Sequence, residues 1–132
     1  MPSSFPQRLG ADQRLKSRKR IAAVFGSGEC LQVGFLRVHH LKDPARAASV
    51  KAGFGVSTRT FRRSVDRNRV KRLMREAWRR QAGLLEINGQ PEGGGLDIFL
   101  LYTGRVLPDY ADLYGQVGQV IERLTNRYGH IV

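Results

Sequence analysis

The chain has 132 residues, 41% of them hydrophobic, and 23 Lys/Arg against 11 Asp/Glu, a net charge of +12. That suits one modest core and a polyanionic partner, and no apolar run approaches the roughly 18 residues of a membrane span. The lone Cys30 excludes an internal disulfide and a thiolate zinc cluster, and no continuous apolar leader opens the chain, so a soluble, cytoplasmic protein without membrane contact is expected.

Residues 1–13 are polar with two prolines and predict a mobile N-terminal arm ahead of a single domain over 14–130. Ile21, Val24 and Phe25 stand at i, i+3, i+4 and predict a helix over 14–26, capped by Ser17 and stopped by Gly26 and Gly28. Residues 31–41 alternate in part and predict a strand; 42–49, with Asp43-Pro44, predict a turn and loop. A second strand follows over 50–57, its Gly53 and Gly55 on one face, which leaves that face open to a close neighbour or ligand. These two strands are expected to pair as a hairpin. Residues 58–63 read as a basic connection, with Ser64 or Asp66 as cap of the next helix. Apolar positions 70, 73, 74, 77, 78, 81/82, 84 and 85 then follow a 3.6 period to about Leu85. Residues 88–95 predict a flexible loop, 96–102 an interior strand, and Pro108-Asp109 the start of a last helix through Leu124. The class is α+β: a small mixed sheet packed by helices, in the order α-β-β-α-β-α, with a βαβ-like crossover.

The helix over 67–75 carries the strongest signal. On a 100° wheel, Val70, Leu73, Met74, Ala77 and Trp78 form one stripe, with Asn68, Arg72, Arg75 and Arg79 nearly opposite and Arg69, Lys71 and Arg80 flanking. Guanidinium groups in a row suit phosphates along a backbone, and an asparagine among them suits a base edge or a 2′-OH. A merely solvated face would leave ten Lys/Arg within 59–80 facing only Asp66 and Glu76. The charge is also segregated: residues 1–80 carry a net +15 and residues 81–132 a net −3.

A second surface is expected on the sheet beside the first helix. Phe25, Phe35 and Phe54 are candidate stacking groups, with Arg37 or Lys51 beside them for phosphates. For Phe35 and Phe54 the residues leave core and ligand face equally open; His39 and His40 read as surface strand residues. No H-E-x-x-H, no Cys–His set of zinc spacing and no P-loop is present, and the basic half holds no carboxylate pair. No catalytic residue or metal ligand of the protein's own is therefore expected.

The run Arg67-Asn68-Arg69-Val70-Lys71-Arg72-Leu73-Met74-Arg75-Glu76 resembles the signature helix of the protein subunit of bacterial ribonuclease P. Gly53-Phe54-Gly55-Val56-Ser57, Ser64-Val65-Asp66, the pattern from Arg14-Leu15-Lys16 to Val24-Phe25 and Gly28, and Leu96-Asp97-Ile98 with the closing helix fit the same family across most of residues 8–128. The resemblance implies an α+β domain with a left-handed crossover. It implies 5′ maturation of precursor tRNA, catalysed by a partner RNA with Mg²⁺ held mainly by that RNA, and one protein per RNA. It places Arg67, Asn68, Arg69, Lys71, Arg72 and Arg75 on the catalytic RNA, and the helix wheel adds Arg79 to the same expected contact. It places the single-stranded 5′ leader in the cleft between the first helix and the sheet, at Phe25 with the Phe35–His39 and Phe54–Val56 strands. Arg18, Arg37, Lys51 and Arg59 are expected to be the cations of that groove. The sequence departs from the family's usual pattern at Ile21, where an aromatic is common, at Ser57-Thr58-Arg59, where Ser-Lys-Lys is usual, and at Phe61-Arg62-Arg63, which fills a turn that usually holds glycine. A ribosomal or other structural RNA-binding protein is the alternative.

Overall fold

A computed structural model describes Leu15 and residues 17–43, 49–82 and 95–129. The expected N-terminal arm, the stretch 83–85 of the basic helix and most of the loop over 88–95 lie outside the described residues.

Helix α1 spans Arg18–Ser27, with Ser17 Oγ accepting from the Arg20 N–H at 3.4 Å as its cap. Gly28, not Gly26, ends it, in extended geometry. An added Cβ at Gly28 would lie 2.4 Å from the Val24 carbonyl oxygen, so only glycine fits this exit.

The strand expected over 31–41 is two strands. β1 (Glu29–Val33) and β2 (Leu36–Asp43) form a tight antiparallel hairpin about Gly34-Phe35, with Gly34 at φ +55°. The available signal was a single glycine, Gly34, at the first central turn position, which is weaker than the Asn-Gly or Asp-Gly pair of other tight hairpins. β3 (Ser49–Val56) does not pair with β2 as expected. β4 (Gly95–Tyr102) lies between them, antiparallel to β2 and parallel to β3, giving the order β1-β2-β4-β3. The reason lies in β4 itself. Leu96, Ile98, Leu100 and Tyr102 are buried on one face, while Phe99 and Leu101 are partly buried on the other. A strand apolar on both sides belongs at the centre of a sheet.

Helix α2 (Ser64–Gln81) connects the parallel pair β3 and β4, so the βαβ unit forms as expected. Its cap position is Arg63, without a side-chain cap bond, rather than Ser64 or Asp66. Helix α3 (Tyr110–Leu124) follows and continues into a π-helical turn, Thr125–Gly129. Val70, Met74, Ala77 and Trp78 of α2 join Leu113, Val117, Val120, Ile121 and Leu124 of α3 in one core with Val38, Ile98 and Leu100 of the sheet. Gln81 is buried between the two helices, its Nε2 donating to the Ala77 and Tyr114 carbonyls. Helix α1 packs on the opposite face of the sheet, against β2 and β4. Leu15, just before it, is buried and donates its N–H to the Ala52 carbonyl at 3.0 Å, on the outer edge of β3.

His40 is not a surface residue. It is 3% exposed and its Nδ1 lies 2.6 Å from the Tyr128 hydroxyl of the π turn, while Arg127 of that turn pairs with Glu29 of β1 at 2.7 Å. Burial, with the nearby Arg127 and His39, holds the His40 imidazole below its ordinary 6.5 against the opposing pull of Glu29. The unfolded chain therefore binds this proton more readily than the folded one, and stability falls as pH drops below about 6.5. Burial of His39 adds in the same direction. The Glu29 and Glu76 carboxyls are held below 4.5 by hydrogen bonds from Arg127 and Arg79, so their stabilisation is lost only at lower pH. A His40→Gln variant is expected to show a shallower loss of thermal midpoint between about pH 6.5 and 5 than the parent protein, read by circular dichroism.

Candidate nucleic-acid interface

The register of α2 determines which of its cations reach solvent. Its buried stripe of Val70, Met74, Ala77, Trp78 and Gln81 faces the sheet and α3. Asn68, Arg72 and Arg75 are exposed on the arc opposite that stripe, and Arg69, also exposed, flanks it. Lys71 flanks them, half-buried. Arg79, which the wheel places in the same arc, is withdrawn: its Nη2 lies 2.7 Å from Glu76 Oε1 and its side chain is only 15% exposed. Arg80 reaches the same carboxylate oxygen at 3.0 Å. Glu76 is thus engaged by the two arginines at the end of the helix. Among the described residues no carboxylate is ion-paired with Arg69, Arg72 or Arg75. Arg67 turns toward the chain before the helix, its Nη1 donating to the carbonyls of Phe61 at 2.7 Å and Arg62 at 2.8 Å.

The face of the sheet under α1 is built differently. In register, His39 of β2, Phe99 of β4 and Gly53 of β3 stand side by side, with Arg37, Leu101 and Gly55 in the row on one side and Leu41, Asp97 and Lys51 in the row on the other. The Phe25 ring of α1 leans over the first of these rows, 4.3 Å from His39 and 5.1 Å from Phe99 between ring centroids, and stays 42% exposed. The two glycines are explained by Phe99. A Cβ at either Gly53 or Gly55 would stand 2.8 Å from its ring, so the ring lies across bare backbone. The close neighbour anticipated for that face is therefore a side chain of the protein itself. Burial and the adjacent Arg37 hold the His39 pKa below 6.5, which keeps its ring neutral near pH 7 and suited to stacking. Arg18 lies two helical turns before Phe25, on the same side of α1 and exposed.

Phe25, His39, Arg37, Lys51 and Arg18 thus share one face. Three residues assigned with them do not. Phe54 points through the sheet with Val50 and Val56 and packs partly buried against the core under α2, because strand parity sets it opposite Gly53 and Gly55. Phe35 sits in the hairpin turn at the end of the sheet. Its ring is 6.2 Å from Tyr102 and its main chain is held by Gln116 and Thr103. Arg59 lies in the turn after β3, its N–H bonded to Ser57 Oγ at 3.1 Å, in the segment that leads into α2. Phe99 was missed from sequence because it reads as one more apolar residue of a central strand. The paired glycines of the neighbouring strand were the available signal.

A small α+β domain with exposed arginines on one helix, ion-paired with no carboxylate among the described residues, and an aromatic platform on the far side of its sheet has the architecture of an RNA-binding protein. The family model for Ribonuclease P matches residues 9–125, and the chain belongs to that family. It is 39% identical over 103 residues to the ribonuclease P protein component of Porphyromonas gingivalis, spanning 77% of this chain and 75% of that protein. The corresponding protein of Chlorobium phaeobacteroides is 32% identical over 121 residues, spanning 83% of each chain. Among solved structures, the RNase P protein of Staphylococcus aureus shares the fold with a TM-score of 0.67 at 14% identity, over 88% of this chain and 97% of that one. The RNase P protein from Thermotoga maritima does so with a TM-score of 0.66 at 21% identity, over 83% and 96%.

Proposed function

We propose that this chain is the protein component of a ribonucleoprotein ribonuclease P, binding the catalytic RNA through Asn68, Arg69, Lys71, Arg72 and Arg75 and the 5′ leader of precursor tRNA over Phe25, His39 and Phe99. The observation that carries the reading is the exposed arc of α2, whose arginines have no ion-paired carboxylate among the described residues while Glu76 is held by Arg79 and Arg80. Family membership supports it. An RNA phosphate placed on that arc gains charge-assisted bonds and releases counterions. On the other face, leader bases stack on Phe25 with Arg18, Arg37 and Lys51 beside them for phosphates.

In this proposal the protein contributes positioning and charge, and no nucleophile. Among the described residues no three His, Cys, Asp or Glu side chains converge as metal ligands. In this reading the Mg²⁺ that the cleavage requires would be held mainly by the partner RNA. Among the described helices none is long and apolar enough to cross a membrane. The working complex is one protein with one RNA, in the cytoplasm.

Reconstitution tests the reading. Added to a ribonuclease P RNA at low Mg²⁺, the chain is expected to stimulate precursor-tRNA cleavage, and a lack of stimulation overturns the proposal. Phe25→Ala is expected to weaken binding of leader-bearing precursor about 5- to 150-fold, the range for loss of a stacked base. Mature tRNA, which has no leader, is expected to bind the variant and the parent complex equally; equal losses for both would remove Phe25 from the leader contact.

A further inference from the structure

Arg67 stands apart from its neighbours on α2. It lies about 60° round the helix from buried Val70, on the packed side, whereas the exposed arc is centred on the opposite side. Its guanidinium is bonded to the main chain of the segment before the helix, at the Phe61 and Arg62 carbonyls. That segment carries three exposed arginines, Arg59, Arg62 and Arg63, none ion-paired with a carboxylate among the described residues. They crowd the N-terminal end of α2, where the helix's own partial charge is positive and where Arg63 supplies no side-chain cap. Repulsion of this kind spreads a chain unless the backbone is tied.

Three ties are present. The N–H groups of Thr60 and Phe61 donate to the Ser57 carbonyl at 3.2 and 3.3 Å. The Phe61 ring is buried and stacks on Tyr102 with 6.2 Å between centroids. Arg67 closes the far end of the segment. A carbonyl accepting from a guanidinium makes a stronger bond than one between neutral groups, so the cation that would otherwise add to the repulsion acts as the fastening.

We infer that Arg67 is a positioning residue whose guanidinium fixes the Thr58–Arg63 segment and so presents Arg59, Arg62 and Arg63 as a second row of phosphate contacts beside the row on α2. This rests on the RNA-binding reading above. It assigns Arg67 a role toward the protein's own backbone, and it adds Arg62 and Arg63 to the interface.

The test uses the full chain and a ribonuclease P RNA transcript, with affinity measured across a salt series. Arg67→Ala is expected to lower the salt slope by about 2 or more, because a row of contacts is lost together, whereas a single phosphate contact accounts for about 1. In the free protein, amide exchange over residues 60–66 is expected to rise, an effect that loss of an RNA contact does not produce. Arg62→Ala/Arg63→Ala is expected to lower the slope in the parent protein and to change it little when Arg67 is already alanine. Arg67→Lys, which keeps a donor and the charge, is expected to recover part of the slope. Should Arg67→Ala not fold, protection of Arg62 and Arg63 from phenylglyoxal by the RNA decides the matter, and equal modification with and without RNA overturns the inference. A slope loss of about 1 with unchanged exchange overturns it as well, by making Arg67 an ordinary phosphate contact. An Arg62→Ala/Arg63→Ala slope equal to the parent's also overturns it, while leaving the α2 interface standing. Absence of RNA binding by the parent protein overturns both.

Discussion

Replacing Arg69, Arg72 and Arg75 together by alanine is expected to lower affinity for a ribonuclease P RNA by roughly 10²- to 10⁴-fold, at roughly 1–2 kcal/mol for each charge-assisted contact. The slope of log affinity against log salt should fall by about 3 at the same time. The fold should not suffer. All three side chains are exposed and none is ion-paired with a carboxylate among the described residues, and surface changes of that kind usually stay within about 0.5 kcal/mol. Removing like charges from one helix face relieves repulsion, so the thermal midpoint is expected to be equal to or slightly above the parent's. An affinity loss below about 5-fold, with the fold intact, would show that α2 is not the principal RNA surface.

Trp78→Ala is expected to act from the other side of the same helix. Trp78 is 2% exposed and is one of the largest fully buried side chains of the core. Truncating such a residue costs about 3–5 kcal/mol, a large part of the roughly 5–15 kcal/mol of a small domain. The thermal midpoint should drop by roughly 10–20 °C, followed by far-UV circular dichroism because the substitution removes the chain's one tryptophan. RNA binding at low temperature should keep the parent salt slope, since the guanidinium row is unchanged, and should fail on warming well before the parent does. The coupling follows from the helix itself. An 18-residue helix this rich in like charges is marginal alone and depends on its packed stripe to remain formed. A midpoint within about 3 °C of the parent would mean that the core closes around the missing ring far better than such cores do.

The sequence spoke clearly where one periodicity dominated. The α2 stripe was readable because every third or fourth residue from Val70 is apolar, and the same spacing set Asn68, Arg72 and Arg75 on the other side. Arg79 obeyed the wheel, yet its side chain is only 15% exposed and is ion-paired with Glu76 one turn earlier; spacing does not encode such a pairing. The bonds from Arg67 to two backbone carbonyls were likewise hidden, since charge alone does not reveal that those carbonyls lie within its reach.

On the sheet the limits were topological. Strand parity set Phe54 on the face opposite Gly53 and Gly55, but which face met α1 depended on β4 entering between β2 and β3, a pairing between residues distant in sequence. Phe99 acquired its place on the platform by the same event. His40 read as a surface residue because its partner, Tyr128, lies 88 residues further along the chain.

The bond from Leu15 to the Ala52 carbonyl has a consequence for the molecule in bulk solution. Among the described residues β3 is the last strand on its side of the sheet, and a bare strand at such a margin is a template on which a second copy can build. With an acceptor of that margin occupied from within the same chain, recruitment of another molecule's strand is blocked at that point. A chain shortened to begin at Ser17 is therefore expected to scatter light increasingly with concentration, through copies joined margin to margin, while the intact chain does not.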